Sequence, residues 1–127
     1  MSADATMPIL IVDDYNTMVR ILRNLLRQLG FTNIDEASDG GAALAKLQAK
    51  HYALVISDTD MAPMSGVELL RRVRADERTK ATPFVLVAND AKEGAEAEGR
   101  EGATGYIVKP FSALSLRSKL EPMIGAF

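Results

Sequence analysis

The sequence predicts a single α/β domain: a five-stranded parallel sheet with five helices divided between its two faces. Three observations predict it. Short apolar runs without polar alternation, at residues 8–12, 54–58, 83–88 and 105–108, read as strands covered on both sides. Stretches of helical period separate them, so strand and helix alternate along the chain and each crossover is right-handed. Two of the runs end on carboxylates, Asp13-Asp14 and Asp58, at the strand ends where open parallel sheets bind their ligands.

In order, residues 1–7 are small and polar and form a lead-in, and residues 8–127 form the domain. The first strand, 8–12, is wholly apolar. From 15 to 29 the residues Met18, Ile21, Leu22, Leu25, Leu26 and Leu29 recur at helical spacing on one face, and Gly30 is the stop. Residues 33–37 give a weaker second strand. A turn at 38–41, where Asp39 serves turn chemistry, leads to a short helix at 42–50 with Leu44 and Leu47 inward. After the third strand, 62–66 forms a loop in which Met64, with the preceding Met61, fills gaps. Residues 67–75 form a helix with Val67, Leu70 and Val73 inside and Arg71, Arg72 and Arg74 on a solvated face.

The fourth strand, 83–88, leads into a fourth helix at 89–102 that contains Gly94 and Gly99 and buries little beyond Ala91, Ala95 and Ala97. Each interior glycine costs about 1 kcal/mol relative to alanine, so this helix is expected to be marginal, ordered by a partner or by its tertiary context. The fifth strand, 105–108, ends on Lys109-Pro110-Phe111. Ser112 then caps a last helix with Leu116, Leu120 and Met123 inward, which Pro122 should end or bend.

Composition narrows the function. At 127 residues, 47% hydrophobic and 25% charged, the chain is a globular domain with a proper core, and a net charge of −2 offers no broad basic surface for direct nucleic-acid contact. The absence of cysteine excludes disulfides and thiolate metal sites. A single histidine, His51, excludes a histidine metal cluster and a Ser/His/Asp triad within this chain. No apolar run approaches the roughly 18 residues that span a bilayer, and the N-terminus lacks signal-peptide character, so the expected location is cytoplasmic, without membrane insertion.

In a parallel sheet Asp13, Asp14, Asp58 and Asp60 gather at one edge, where they repel one another unless a cation intervenes. Hard oxygen ligands with room for water suit Mg²⁺. Lys109, at the end of the fifth strand, brings an ammonium to the same crevice. Carboxylate, Mg²⁺ and lysine together are what a phosphoryl group needs, and Asp58, ending the central strand, is the candidate nucleophile.

The paired acids Asp13-Asp14, the strand ending at Asp58, Gly66 eight residues later, and Gly102-Ala103 leading to Lys109-Pro110-Phe111 resemble the receiver domain of bacterial two-component response regulators. The likeness spans 9–123. Thr17-Met18, Arg23-Asn24-Leu25-Leu26 and Leu29-Gly30-Phe31 are similar in particular to the first helix of the single-domain chemotaxis regulator. The resemblance supports a flavodoxin-like receiver fold with strand order 2-1-3-4-5, whose switch point falls between the first and third strands, beside Asp13, Asp14 and Asp58. It implies that Asp58 accepts a phosphoryl group from a histidine kinase, a histidine phosphotransfer protein or a small phosphodonor. It implies Mg²⁺ on the side chains of Asp14 and Asp58, on the backbone carbonyl of Asp60, and through water on Asp13. Lys109 would pair with Asp58 and then with the phosphoryl oxygens, and the Lys109-Pro110 bond would be cis. The only catalysis implied is phosphoryl transfer to itself and its own dephosphorylation, which is not that of an enzyme on an external substrate.

The sequence departs from the family pattern at the end of the fourth strand, where the usual threonine or serine is Ala88, or Val87 under a shifted alignment. In the family that hydroxyl binds the phosphoryl group and lets an aromatic, here Tyr106, rotate inward. A hydrogen bond to a charged group contributes about 1.5–3 kcal/mol, so its loss weakens coupling roughly 10- to 100-fold. Tyr106 is therefore expected to have room inward over Ala88 even without phosphate. The proline usual four residues after the phosphoacceptor is Ala62, with Pro63 next, and the side chain of Asp60 adds negative charge at the mouth.

Two function classes follow. The first is a phosphorylation switch signalling by protein contact through Lys92, Tyr106, Val108, Phe111 and Lys119, positions that resemble a motor-binding face and point to a flagellar switch protein or a kinase as target. The second is a phosphorylation-independent adaptor or second-messenger-binding module, with Ala88 uncoupling site from surface. The full set of acids and the lysine favours the first.

Overall fold

The computed structural model describes residues 4–125. Five strands, β1 (Ile9–Val12), β2 (Ile34–Ala37), β3 (Leu54–Asp58), β4 (Phe84–Ala88) and β5 (Gly105–Val108), form one parallel sheet in the order β2-β1-β3-β4-β5, as expected. Between and after them run α1 (Asn16–Gln28), α2 (Gly40–Ala49), α3 (Gly66–Ala75), α4 (Ala91–Glu96) and α5 (Ala113–Ile124). No helix among the described residues is long and apolar enough to cross a membrane.

Alternation along each strand divides the core in two. Leu10, Val12, Val55, Phe84 and Leu86 face α2, α3 and α4, while Ile9, Ile11, Leu54, Ile56, Val85 and Val87 face α1 and α5. Because both faces are covered, β1, β3 and β4 are buried along their whole length.

Several helical faces differ from the periodicity. In α1 the buried residues are Val19, Leu22 and Leu26, and Ile21 is 42% exposed. The helix is rotated so that Met18, Leu25 and Leu29 only flank the seam. α2 begins at Gly40, before the expected Ala42, because Asp39 caps it by accepting from the Ala42 amide at 2.7 Å.

In α3, Arg74 is not on the solvated face. Its guanidinium donates to the carbonyls of Gly102 at 2.9 Å, Thr82 at 2.7 Å and Lys80 at 3.2 Å, and to Thr104 Oγ1 at 3.2 Å. Burial lowers its pKa from the usual arginine value. α5 starts with a Ser112–Ser115 capping box and runs through Pro122 to Ile124. The proline does not end it, since in the last turn only one backbone bond is forgone.

The expected fourth helix is divided: six residues are α-helical, then Ala97–Glu101 wind as a π-helix that Gly102 closes at φ 79°. Ala91 and Ala95 are exposed and Ala97 is buried, so anchorage comes from Gly94 and Ala97 instead.

Candidate functional site

Asp58, the last residue of β3, is 4% exposed. Its Oδ2 lies 2.8 Å from Lys109 Nζ and its Oδ1 accepts from the Asp60 amide at 3.0 Å. Lys109 is brought there by β5, whose exit is fixed where the Lys109 amide donates to Ala88 O at 3.0 Å, and the Lys109-Pro110 bond is cis. Burial alone would lower the lysine's pKa; the hydrogen bond and charge of Asp58, with Asp60 and Asp13, outweigh it and hold the ammonium above its ordinary value.

The two adjacent acids after β1 take different environments. Asp13 is 1% exposed; one carboxylate oxygen accepts from the Tyr15 amide at 3.0 Å and Oδ2 is buried with no hydrogen-bond partner. Burial, aided by the charges of Asp58 and Asp14 and opposed by the Tyr15 amide, pushes its pKa up to about 7. Asp14 is exposed at the mouth, where its Oδ2 accepts from the Ala62 amide at 3.2 Å and ties the loop after β3 to the end of β1. Asp60 is exposed, with its side chain accepting from Asn89 Nδ2 at 2.7 Å.

This donor set fits a magnesium ion. An orphaned buried carboxylate oxygen beside a second buried carboxylate is costly unless a cation is shared between them. Among the described residues no group of three or more His, Cys, Asp or Glu side chains is placed to hold a metal ion by itself, so the fit rests on the orphaned Asp13 oxygen beside Asp58.

Gly66 has a steric reason. A methyl group there would overlap the carbonyl oxygen of Asp58, and the Gly66 amide donates to Thr59 O at 3.0 Å. The loop folds back onto the strand end only because position 66 has no side chain.

Ala88 is fully buried and paired with Val108. Tyr106 is half-buried, its ring seated against Gly94 of α4 and beneath Lys119, whose Nζ is 4.9 Å from the ring centroid. The other residues of the expected contact face are spread: Lys92 is exposed on α4, Val108 is half-buried on β5, and Phe111 packs with the α1 and α5 side of the core.

The sequence reading missed a polar group beside the site. Glu93 Oε1 accepts from Thr59 Oγ1 at 2.6 Å and from the Asn89 amide at 3.2 Å. The pattern Asp90-x-x-Glu93 signals a helix start, and Asp90 does cap α4 by accepting from the Glu93 amide at 2.8 Å. That pattern does not reveal that Glu93 turns back toward β3.

A family model described as the response regulator receiver domain matches residues 9–121. The chain is 49% identical over 116 residues to the chemotaxis protein CheY of Pseudomonas aeruginosa, covering 91% of this chain and 94% of that protein. It is 47% identical over 116 residues to chemotaxis protein CheY-3 of Vibrio cholerae, covering 91% and 89%. The solved structure of V. cholerae CheY4 superposes with a TM-score of 0.84 at 31% identity, covering 93% of this chain and 98% of that one. The receiver domain of the P. aeruginosa sensor histidine kinase PA1611, solved with a magnesium ion coordinated in its active-site cleft, gives a TM-score of 0.84 at 25% identity over 95% and 99%.

Proposed function

The chain belongs to the response regulator receiver family, and from that premise we propose that it is a phosphorylation switch in which Asp58 is the phosphoacceptor and Lys109 its charge partner. Receiver domains are signalling modules and generally not classical enzymes. The observation that carries the reading is the pairing of the buried Asp58 Oδ2 with the half-buried Lys109 Nζ at 2.8 Å.

A carboxylate oxygen of Asp58 attacks phosphorus in line. The bond from phosphorus to the donor's histidine nitrogen breaks, that nitrogen keeps the electron pair, and an acyl phosphate forms on Asp58. Lys109 follows the charge from the carboxylate to the phosphoryl oxygens. Asp13, Asp14, Asp58 and the Asp60 carbonyl are the groups that would hold Mg²⁺, which when bound neutralises the phosphoryl oxygens. Hydrolysis, with water attacking phosphorus, returns the carboxylate and releases inorganic phosphate.

The output is a protein contact, by analogy with relatives named chemotaxis proteins, through the surface around Tyr106 and Lys119. A flagellar switch protein or a kinase is the corresponding target. A second reading, an adaptor indifferent to phosphorylation, draws on Ala88, which offers no hydroxyl to a phosphoryl group. Transfer from a phosphorylated histidine kinase or histidine phosphotransfer protein tests the choice. Label passing to the parent chain in Mg²⁺ and not to Asp58→Asn supports the switch; no label from any donor supports the adaptor.

A further inference from the structure

We propose that Glu93 carries the phosphorylation state of Asp58 to α4, doing in this chain what the hydroxyl missing at Ala88 would otherwise do. The inference rests on Asp58 being the phosphoacceptor.

Two short routes lead from Asp58 to Glu93, one through the chain to Thr59 and one through hydrogen bonds. In one, Thr59, the next residue and 6% exposed, donates its hydroxyl to Glu93 Oε1 at 2.6 Å. In the other, the Asp60 amide donates to Asp58 Oδ1 at 3.0 Å, and Asn89 Nδ2 joins Asp60 Oδ2 at 2.7 Å to Glu93 Oε2 at 3.5 Å. One carboxamide thus holds two carboxylates together beside the site. A plain helix cap does not account for Glu93. In a capping box its carboxylate would accept from the Asp90 amide; instead it accepts from Asn89, one residue earlier, and from Thr59, the residue that follows β3.

Phosphorylation replaces the single charge of the Asp58 carboxylate with an acyl phosphate carrying about −1.5 to −2, and brings three strong acceptor oxygens further out from the strand end. Placed there, the phosphoryl group competes for the Asn89 donors and repels the Glu93 carboxylate, so the tether to α4 opens. The helix it releases has six α-helical residues before the π-helical turn. Gly94, the next residue, is the seat of the Tyr106 ring. Opening the tether therefore changes what Tyr106 rests on, with no hydroxyl at position 88.

The test is amide NMR of the full chain with Mg²⁺ alone and with Mg²⁺ plus beryllofluoride, a phosphoryl mimic, for the parent, Glu93→Gln and Thr59→Val. Glutamine still accepts from Thr59 but is not repelled, and valine removes the donor while keeping the shape. In both variants the beryllofluoride-induced shifts of the Gly94 and Tyr106 amides should fall to less than half those of the parent, while the shifts of the Asp58 and Asp60 amides persist. Each variant is compared with its own spectrum in Mg²⁺ alone, so a purely structural effect of the substitution cancels. Parent-sized shifts at Gly94 and Tyr106 in both variants would overturn the coupling and leave the phosphoacceptor standing. No response at Asp58 in the parent would overturn the phosphoacceptor reading, and this inference with it.

Discussion

The ring of Tyr106 occupies the space that a side chain on Gly94 would fill. The residue is thus a packing requirement of β5 against α4, although in isolation a glycine within a helix is a cost.

The two effects can be weighed at this position. Gly94→Ala gains about 1 kcal/mol of helix propensity, while forcing a methyl into an occupied notch costs about 1–3 kcal/mol. The substitution is predicted to lower stability by roughly 1 kcal/mol and to move the Tyr106 ring resonances. Chemical denaturation and aromatic NMR check both; a more stable variant with unmoved ring signals would contradict the prediction.

Asp13 is nearly inaccessible, and one of its oxygens has no partner. Asp13→Asn removes a buried charge at constant shape, so without divalent cation the variant should be more stable than the parent by about 1–3 kcal/mol. With saturating Mg²⁺ the order should reverse, because the parent gains binding energy that the variant gives up. Melting curves in chelator and in Mg²⁺ read both signs.

Asp35 accepts from the Tyr52 hydroxyl at 2.6 Å and pairs with Lys50 at 3.0 Å. The Tyr52 bond, opposed by burial and aided by Lys50, holds its pKa below the ordinary carboxylate value, and the same contact, behind burial, raises that of Tyr52. A depressed carboxylate adds stability that is present above its unfolded value of about 3.9 and is lost as pH falls through the folded one. With the Asp35 side chain 35% exposed, Tyr52→Phe should cost about 1 kcal/mol at neutral pH and much less in acid. Denaturation between pH 3 and pH 7 would show the gap between parent and variant closing below roughly pH 4.

Arg74 gathers the end of α3, the entry to β4 and the turn before β5 through four acceptors. Arg74→Ala should destabilise by about 2 kcal/mol, and Arg74→Lys should recover only part of it, because an ammonium cannot span a planar fork of acceptors. Thermal unfolding of the two variants distinguishes this from a surface charge.

Much of this was legible in the sequence, for physical reasons. Strands covered on both faces leave unbroken apolar runs, and a parallel sheet places every strand's end on one edge, so topology brings Asp58 and Lys109 to one crevice, while their pairing was what the family resemblance implied. Periodicity also held a signal for Arg74, which is one turn after the inward Leu70; the solvated-face reading followed its charge instead. Other features depend on folding that composition does not carry. Which of two adjacent acids is buried depends on how the chain leaves β1. The return of Glu93 to Thr59 depends on where α4 begins relative to β3. The π-helical turn at Ala97–Glu101 is a winding that glycine content suggests only as weakness.

The phosphoacceptor role proposed for Asp58 can be read directly. The most direct measurement is intact mass after incubation with Mg²⁺ and a small acyl phosphate, for the parent, for Asp58→Asn and for the parent in chelator. One phosphoryl group should be added to the parent with Mg²⁺ and none to the other two. An unmodified parent, or equal addition to Asp58→Asn, would contradict that role.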